Sequence, residues 1–372
     1  MKTYKYRLYP TKAQKQKLDE NLNLCRVLYN TALSQRKTAY RQQRISLNYY
    51  DQASELKEVK ECLPEYKYIH SQVLQDVLKR VDKAFQNFFR RVKLGEKPGY
   101  PRFKGYGWYD SFTYPQSGFS LSDNSKGSQR LKLSKVGSIK IKLHRAIKGK
   151  IKTCSIKREL DNWYVCFSCE VQPEPLLKTQ KSVGIDVGIE KYAALSDGVL
   201  IENPRFLRQS EAKLKYEQRL LSRKKKGSNS RIKQREKLAK LHHKIKNQRN
   251  DFLHKESHKL VKNYDVIVLE DLRIKNMVKN HHLVKSISDA AWAKFTEYLS
   301  YKAESAGKKV VFVNPRNTSQ SCSSCGEIVK KGLSVRTHIC PYCGLILNRD
   351  VNAAINILRL GTSPGGAAAL AG

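Results

Sequence analysis

Val183-Gly-Ile-Asp-Val-Gly188 is an apolar strand that carries one carboxylate, Asp186, between two glycines. Glycine inside a strand suits close approach of a second backbone or of a ligand. Tyr192-Ala-Ala-Leu-Ser-Asp-Gly198 follows as the second arm of a hairpin. Further along, Tyr264-Asp-Val-Ile-Val-Leu269 reads as a buried strand that runs into Glu270, residues 290–306 as a helix, and Lys309-Val-Val-Phe-Val313 as another strand. Strands alternating with helices predict an α/β sheet from Ser182 onward.

Asp186, Glu270 and Asp350 are the candidate catalytic residues. Each has a plain structural explanation. Asp186 fits a turn, Glu270 a solvent-facing strand end, and Asp350 the N-cap of the helical stretch Val351-Asn-Ala-Ala-Ile-Asn-Ile-Leu-Arg359. Together they place acids at the ends of two buried strands and at one helix start, where they can converge. Clustered carboxylates repel and hold protons unless cations are present. Mg²⁺ suits such hard oxygen donors, and two ions about 4 Å apart support phosphodiester hydrolysis.

Between Glu270 and Asp350 the sequence spells Cys322-x2-Cys325-x14-Cys340-x2-Cys343, with Gly326 and Gly344 after each pair. Four thiolates at this spacing predict tetrahedral Zn²⁺ with no open position, a structural rather than catalytic metal. The other five of the nine cysteines are scattered, which fits a reducing compartment and a cytoplasmic protein, not a disulfide framework.

Toward the N-terminus, Tyr4, Tyr6 and Leu8 alternate with Lys5 and Arg7 as a short strand. Thr11 is placed to cap a helix with the stripe Leu18, Leu22, Cys25, Tyr29 and Ala32. A second helix is expected from about Ser71 to Leu94, its stripe running from Leu74 through Phe85, Phe88 and Phe89 to Val92. From about 111 to 171 the period becomes two, as in Ile139-Lys-Ile-Lys-Leu143 and Trp163-Tyr-Val-Cys-Phe167, which predicts a small antiparallel barrel or sheet that the N-terminal strand joins. Pro173, Pro175 and the polar stretch to Lys181 read as a linker.

The 372 residues carry 72 Lys+Arg against 33 Asp+Glu, a net charge of +39. Such a surface calls for a polyanion. No apolar run approaches the roughly 20 residues of a membrane span, and 40% hydrophobic content excludes wholesale disorder. The Lys/Arg-rich helical stretch broken at Lys226-Gly-Ser-Asn229 fits either a solvated hairpin or a nucleic-acid contact. Tyr4, Tyr6, Tyr9, Tyr29 and Tyr40 stand among cations and are candidates for base stacking, with core packing the commoner use of such residues.

Several motifs resemble one family. They are Tyr6-Arg-Leu-Tyr-Pro-Thr11, Pro101-Arg-Phe-Lys104, Ser111-Phe-Thr-Tyr114, Gly184-Ile-Asp-Val-Gly188, Leu221-Ser-Arg-Lys-Lys-Lys-Gly227 and Asn247-Gln-Arg-x2-Phe-Leu-His254. Val268-Leu-Glu-Asp-Leu272, Thr318-Ser-Gln-x-Cys322 and Arg349-Asp-Val-Asn-Ala-Ala354 complete the set. The chain is similar to TnpB-type proteins of insertion sequences, compact RNA-guided nucleases related to type V CRISPR effectors. The resemblance implies a multidomain α+β and α/β architecture. A wedge β-barrel would span 1–10 and 105–181, with a helical recognition insertion at 11–104. A RuvC-like, RNase H-type nuclease domain would span 182–318 and 346–361, with a zinc ribbon at 319–345 and a flexible tail at 362–372. It also implies that Asp186, Glu270 and Asp350 form the Mg²⁺-binding triad. The partners would be a guide RNA from the element's end and double-stranded target DNA. Asn348 departs from the acid that many relatives carry there, a neutral amide being the weaker Mg²⁺ ligand. The alternative reading is a catalytically silent RNA-guided DNA-binding regulator, against which the intact triad speaks. A strand-joining transposase would need a His-x-His and tyrosine arrangement that His242-His243 and His281-His282 do not offer.

Overall fold

A computed structural model describes residues 1–123, 129–173, 175–332 and 335–363. Of the expected tail at 362–372, residues 364–372 lie outside the described residues. The chain divides into two units, Met1–Gln172 and Pro173–Gly372.

In the first unit, strand β1 (Lys2–Tyr9) buries Tyr4, Tyr6 and Leu8 and turns the intervening residues to solvent. Thr11 begins α1 (Lys12–Gln43) with a capping box, its hydroxyl accepting from Gln14 N–H while the Gln14 side chain accepts from Thr11 N–H. α2 (Tyr49–Ser54), α3 (Leu56–Cys62) and α4 (Ser71–Lys93) complete the helical part. Leu74, Val77, Leu78 and Val81 of α4 are buried and Phe85 still packs against that core, but the end of the expected stripe does not, since Phe89 and Val92 are exposed.

The remaining strands are β2 (Ser111–Tyr114), β3 (Phe119–Asp123), β4 (Gln129–Leu133), β5 (Gly137–Lys142), β6 (Lys150–Glu159) and β7 (Asn162–Glu170). With β1 they form an antiparallel sheet in the order β2-β6-β7-β1-β5-β4-β3. The N-terminal strand therefore sits at its centre, between β7 and β5. Residues 115–118 alone join the two edge strands, a reach of about 18 Å at most, while a flat seven-stranded sheet would part its edges by about 29 Å. The sheet must curl into a near-barrel.

The second unit contains β8 (Ser182–Val187), β9 (Lys191–Leu195), β10 (Leu200–Glu202), α5 (Phe206–Arg223), α6 (Asn229–Asn263), β11 (Val266–Glu270), α7 (Ile274–Met277), α8 (Val284–Ala290), α9 (Trp292–Ser305), β12 (Lys309–Val313), β13 (Thr337–Ile339), β14 (Ile346–Asn348) and α10 (Arg349–Thr362). Its main sheet has the order β10-β9-β8-β11-β12, with β8, β11 and β12 parallel and the β8–β9–β10 meander antiparallel. Val183, Ile185, Ile267 and Leu269 pack with Leu253, Phe295 and Leu299 in its core. The expected helix over 290–306 begins instead at Trp292, because Ala291 takes a left-handed conformation (φ 53) and separates α8 from α9. The expected linker is tied down at its far end. The Asp265 carboxylate accepts from Thr179 and Gln180 N–H, and these bonds hold its pKa near 2.

Candidate active site and metal centre

The parallel register pairs Gly184 with Val268 and Ile185 with Leu269, so the next residue on each strand, Asp186 and Glu270, falls side by side at the sheet's carboxyl end. Asp186 is not in a turn. It pairs with Ala194 across the β8–β9 hairpin. The third acid arrives on α10, which lies against β8. A Cβ built on Gly184 would stand 2.1 Å from the Ala354 carbonyl oxygen, so the helix backbone rests on β8 where only glycine leaves room.

Loss of hydration raises the Asp186 pKa well above the carboxylate range, the charges of Glu270 and Asp350 raise it further, and Arg349 opposes them. Burial also raises Glu270, and a hydrogen bond from Thr318 counters it. Thr318 is itself buried, and its hydroxyl donates to Glu270 Oε1 at 2.5 Å. Asp350 pairs with Arg349 at 3.1 Å and with Arg336 at 3.9 Å, and Arg336 also pairs with Glu190 at 2.7 Å. The helix cap expected of Asp350 belongs to Asn348, whose Oδ1 accepts from the N–H groups of Asp350 and Val351. The Asp350 carboxylate is thus free of capping duty. Raised pKa values in a cluster of half-buried acids mark a site short of positive charge, and oxygen donors of this kind suit Mg²⁺.

Cys322, Cys325, Cys340 and Cys343 come together. Among the described residues they are the one group of three or more potential ligands whose donor atoms all lie within 4.8 Å of one another. The three carboxylates do not form such a group. Cys322 and Cys343 Sγ are 3.6 Å apart, as are Cys325 and Cys340 Sγ. Tetrahedral Zn–S bonds require sulfurs about 3.8 Å apart, so the cluster fits a structural zinc. Leu345 N–H lowers the Cys343 thiol to about 6. Glu327 N–H favours the Cys325 thiolate, yet lost hydration and the other three sulfurs push that thiol up to about 12. Gly326 and Gly344 close the two knuckles with φ of 86° and 74°.

Two asparagines not recognised as site residues from the sequence join this cluster to the acids. Asn352 and Asn356 are buried on α10. Asn352 Oδ1 accepts from Ser323 N–H and its Nδ2 donates to the Ser321 carbonyl. Asn356 Nδ2 donates to the carbonyls of Thr318 and Ser321. One helix thereby carries Asp350, grips the first cysteine knuckle and fixes the residue that holds Glu270. The available signal was a pair of polar residues, four apart, on the face of Val351-Asn-Ala-Ala-Ile-Asn that the apolar pattern assigns to the core.

The Lys224-Lys225-Lys226 run forms the turn between α5 and α6, where Arg231 donates to the carbonyls of Leu221 and Lys224. Of the tyrosines considered for stacking, Tyr4, Tyr6 and Tyr29 are buried in the core, while Tyr9 and Tyr40 are exposed.

Three family descriptions match this chain: a probable transposase over residues 166–281, a Cas12f1-like TNB domain over 292–357, and a helix-turn-helix domain over 1–44. Over 1–44 the structure has β1 and the single long helix α1. A protein of Streptomyces pristinaespiralis named "Putative RNA-guided DNA endonuclease" is 35% identical over 97% of this chain and 89% of its own. One of Escherichia coli K12, bearing the same name with the suffix InsQ, is 33% identical over 97% of this chain and 92% of its own. Among solved structures, a Cas12f1–sgRNA–target DNA complex matches in fold with a TM-score of 0.55 at 14% identity, covering 93% of this chain and 82% of that one. With relatives this similar over nearly their whole length, the chain belongs to the TnpB-type family of insertion-sequence proteins.

Proposed function

We propose that this chain is an insertion-sequence-encoded, RNA-guided endonuclease that hydrolyses phosphodiesters of guide-matched double-stranded DNA at a RuvC-like site. The observation that carries this reading is the meeting of Asp186, Glu270 and Asp350, in which two neighbouring acids raise the Asp186 pKa. The strand order β10-β9-β8-β11-β12 supports an RNase H-type topology for that site. The finer division into wedge, recognition, nuclease and ribbon parts belongs to the same proposal, as does a cytoplasmic place of action. Among the described residues no helix is long and apolar enough to cross a membrane.

Asp186, Glu270 and Asp350 would hold Mg²⁺, which when bound in a pair polarises the phosphate and acidifies an attacking water. The chain's own residues prepare that site. Thr318 fixes the direction of the Glu270 carboxylate, and Arg336 and Arg349 balance the charge of Asp350. The four cysteines would hold Zn²⁺, keeping Ser321 and Ser323 where Asn352 and Asn356 meet them.

Guidance by RNA is supported by the names of the two full-length relatives and by the +39 charge, which suits a protein holding RNA and DNA together. Sequence would then be read by base pairing, with the protein reading shape and a short adjacent motif. The test is to sequence RNA that copurifies with the chain, recode its guide segment, and offer matched duplex DNA with Mg²⁺. Cutting that follows the recoded segment supports the reading. Target binding without cutting under any metal condition favours the silent regulator.

A further inference from the structure

Exposed aromatic rings are concentrated in one short part of the first unit. Phe89, Tyr100, Phe103, Tyr106 and Trp108 all reach solvent, with Tyr106 at 84% and Trp108 at 81% exposure. The other two tryptophans, Trp163 and Trp292, are buried. Between residues 83 and 108, seven Lys or Arg side chains face a single acid, Glu96.

The two most exposed rings stand on an anchored turn. Asn30 of α1 clamps the Lys104 backbone, Oδ1 accepting from its N–H at 2.7 Å and Nδ2 donating to its carbonyl at 2.9 Å. Tyr109 is buried on the other side, and Trp108 N–H closes the turn on the Gly105 carbonyl at 3.1 Å. Gly107 sits at φ +82, a conformation that a side chain would disfavour. Each ring borders an open groove in which cations outnumber acids. Tyr106 lines one of about 470 Å³ with Lys12, Lys15, Arg26 and Arg158 against Asp19 and Glu20, Asp19 being paired with Arg158. Trp108 lines one of about 390 Å³ with Arg80, Lys83, Asn87 and Lys104 against Asp110.

We propose that the turn carrying Tyr106 and Trp108 is a stacking site for unpaired bases of RNA. A reader of phosphates alone needs cations, and exposed rings add nothing to it. Flat apolar faces beside cations match a polyanion whose base faces are open, and a duplex hides those faces. An apolar patch left in water promotes aggregation, so a partner resident throughout the protein's working life is its fitting cover. On the RNA-guided reading above, on which this inference rests, that partner is the guide rather than the transiently opened target.

The intact chain is titrated with a short single-stranded RNA, the same RNA as a duplex, and the corresponding DNA strand, following tryptophan emission and affinity. Single-stranded RNA should change the emission, because Trp108 is the one exposed tryptophan. Trp108→Ala should remove that change and weaken binding by about fivefold to a hundredfold, the range of one lost stacking contact. Its melting temperature and salt slope should stay as in wild type, and Trp108→Phe should recover most of the affinity. Equal effects of duplex or of DNA would overturn the proposal. So would a Trp108→Ala chain that binds RNA like wild type, or rings that prove to hold a second copy of the chain by light scattering. A wild-type chain that binds no RNA at all would remove the RNA-guided reading itself, a separate outcome from normal RNA binding without Trp108.

Discussion

The Thr318 hydroxyl points at Glu270 Oε1 from 2.5 Å, while the Thr318 carbonyl accepts from Asn356 on the helix that carries Asp350. One residue thus fixes one acid and is itself fixed by the element that delivers another. Thr318→Val keeps the shape and removes the donor. With that bond lost, the Glu270 pKa rises further above its ordinary value, so more of the site is protonated at a given pH. Cleavage by Thr318→Val should fall roughly tenfold or more, with the acid limb of its pH–rate profile moved to higher pH. Thr318→Ser should stay near wild type. A Val variant with the wild-type profile would show that the hydroxyl does not position Glu270.

Asp186 makes the metal-free fold weaker at neutral pH. Its folded pKa lies above the ordinary carboxylate value, so the folded chain binds more protons than the unfolded one between those two values. Stability therefore falls as pH rises through that window and stays lowered above it. Asp186→Asn removes the charge and should raise the metal-free melting temperature, by about 2–4 °C per kcal/mol relieved, while abolishing cleavage. Calorimetry finding a lower melting temperature at pH 7 would contradict the buried-charge account.

Zinc should be present at about one ion per chain, the stoichiometry of a four-thiolate site. Cys340→Ser should lose it, and cleavage should fall in step, because Ser321 and Ser323 of the first knuckle anchor Asn352 and Asn356. Elemental analysis of folded wild type without zinc would refute the metal centre.

The Asn348 side chain caps α10, accepting from the N–H groups of Asp350 and Val351. Asn348→Ala should cost about 1 kcal/mol and lower activity through a frayed α10 start, whereas Asn348→Asp should keep the cap. Chemical denaturation distinguishes the two variants.

Charge reversal of Lys224, Lys225 and Lys226 should flatten the dependence of log affinity for RNA on log salt, by about 0.7 per lost contact with a single strand. An unchanged slope would make this turn a merely solvated surface.

Much of this was legible in the sequence because its signals are local. Thr11 caps α1 through Gln14 three residues on, and Tyr4, Tyr6 and Leu8 announce their buried face by alternation. Both cysteine pairs fold as spacing alone predicts. What stayed hidden depends on contacts between distant residues. The stripe of α4 continues through Phe89, but past Val81 only Phe85 and Phe88 are partly covered, by Tyr100, and Phe89 and Val92 stand in solvent, so the same pattern means core up to Val81 and a fading face beyond it. Asp350 and Asn348 are both able to cap a helix, and only the backbone chooses Asn348. Ala291 is a good helix former, yet it takes a left-handed conformation that breaks the chain between α8 and α9. Thr318 and Glu270 are 48 residues apart, beyond any periodicity.

The most direct test of the central claim is cleavage of a guide-matched duplex with Mg²⁺ by wild type and by Asp186→Ala, with target binding measured in parallel. Wild type should cut, and the variant should bind the target nearly as well and leave it uncut, because binding comes from cations and base pairing while Asp186 serves only the chemistry. An Asp186→Ala chain that cuts at the wild-type rate would contradict the assignment of these three acids as the active site.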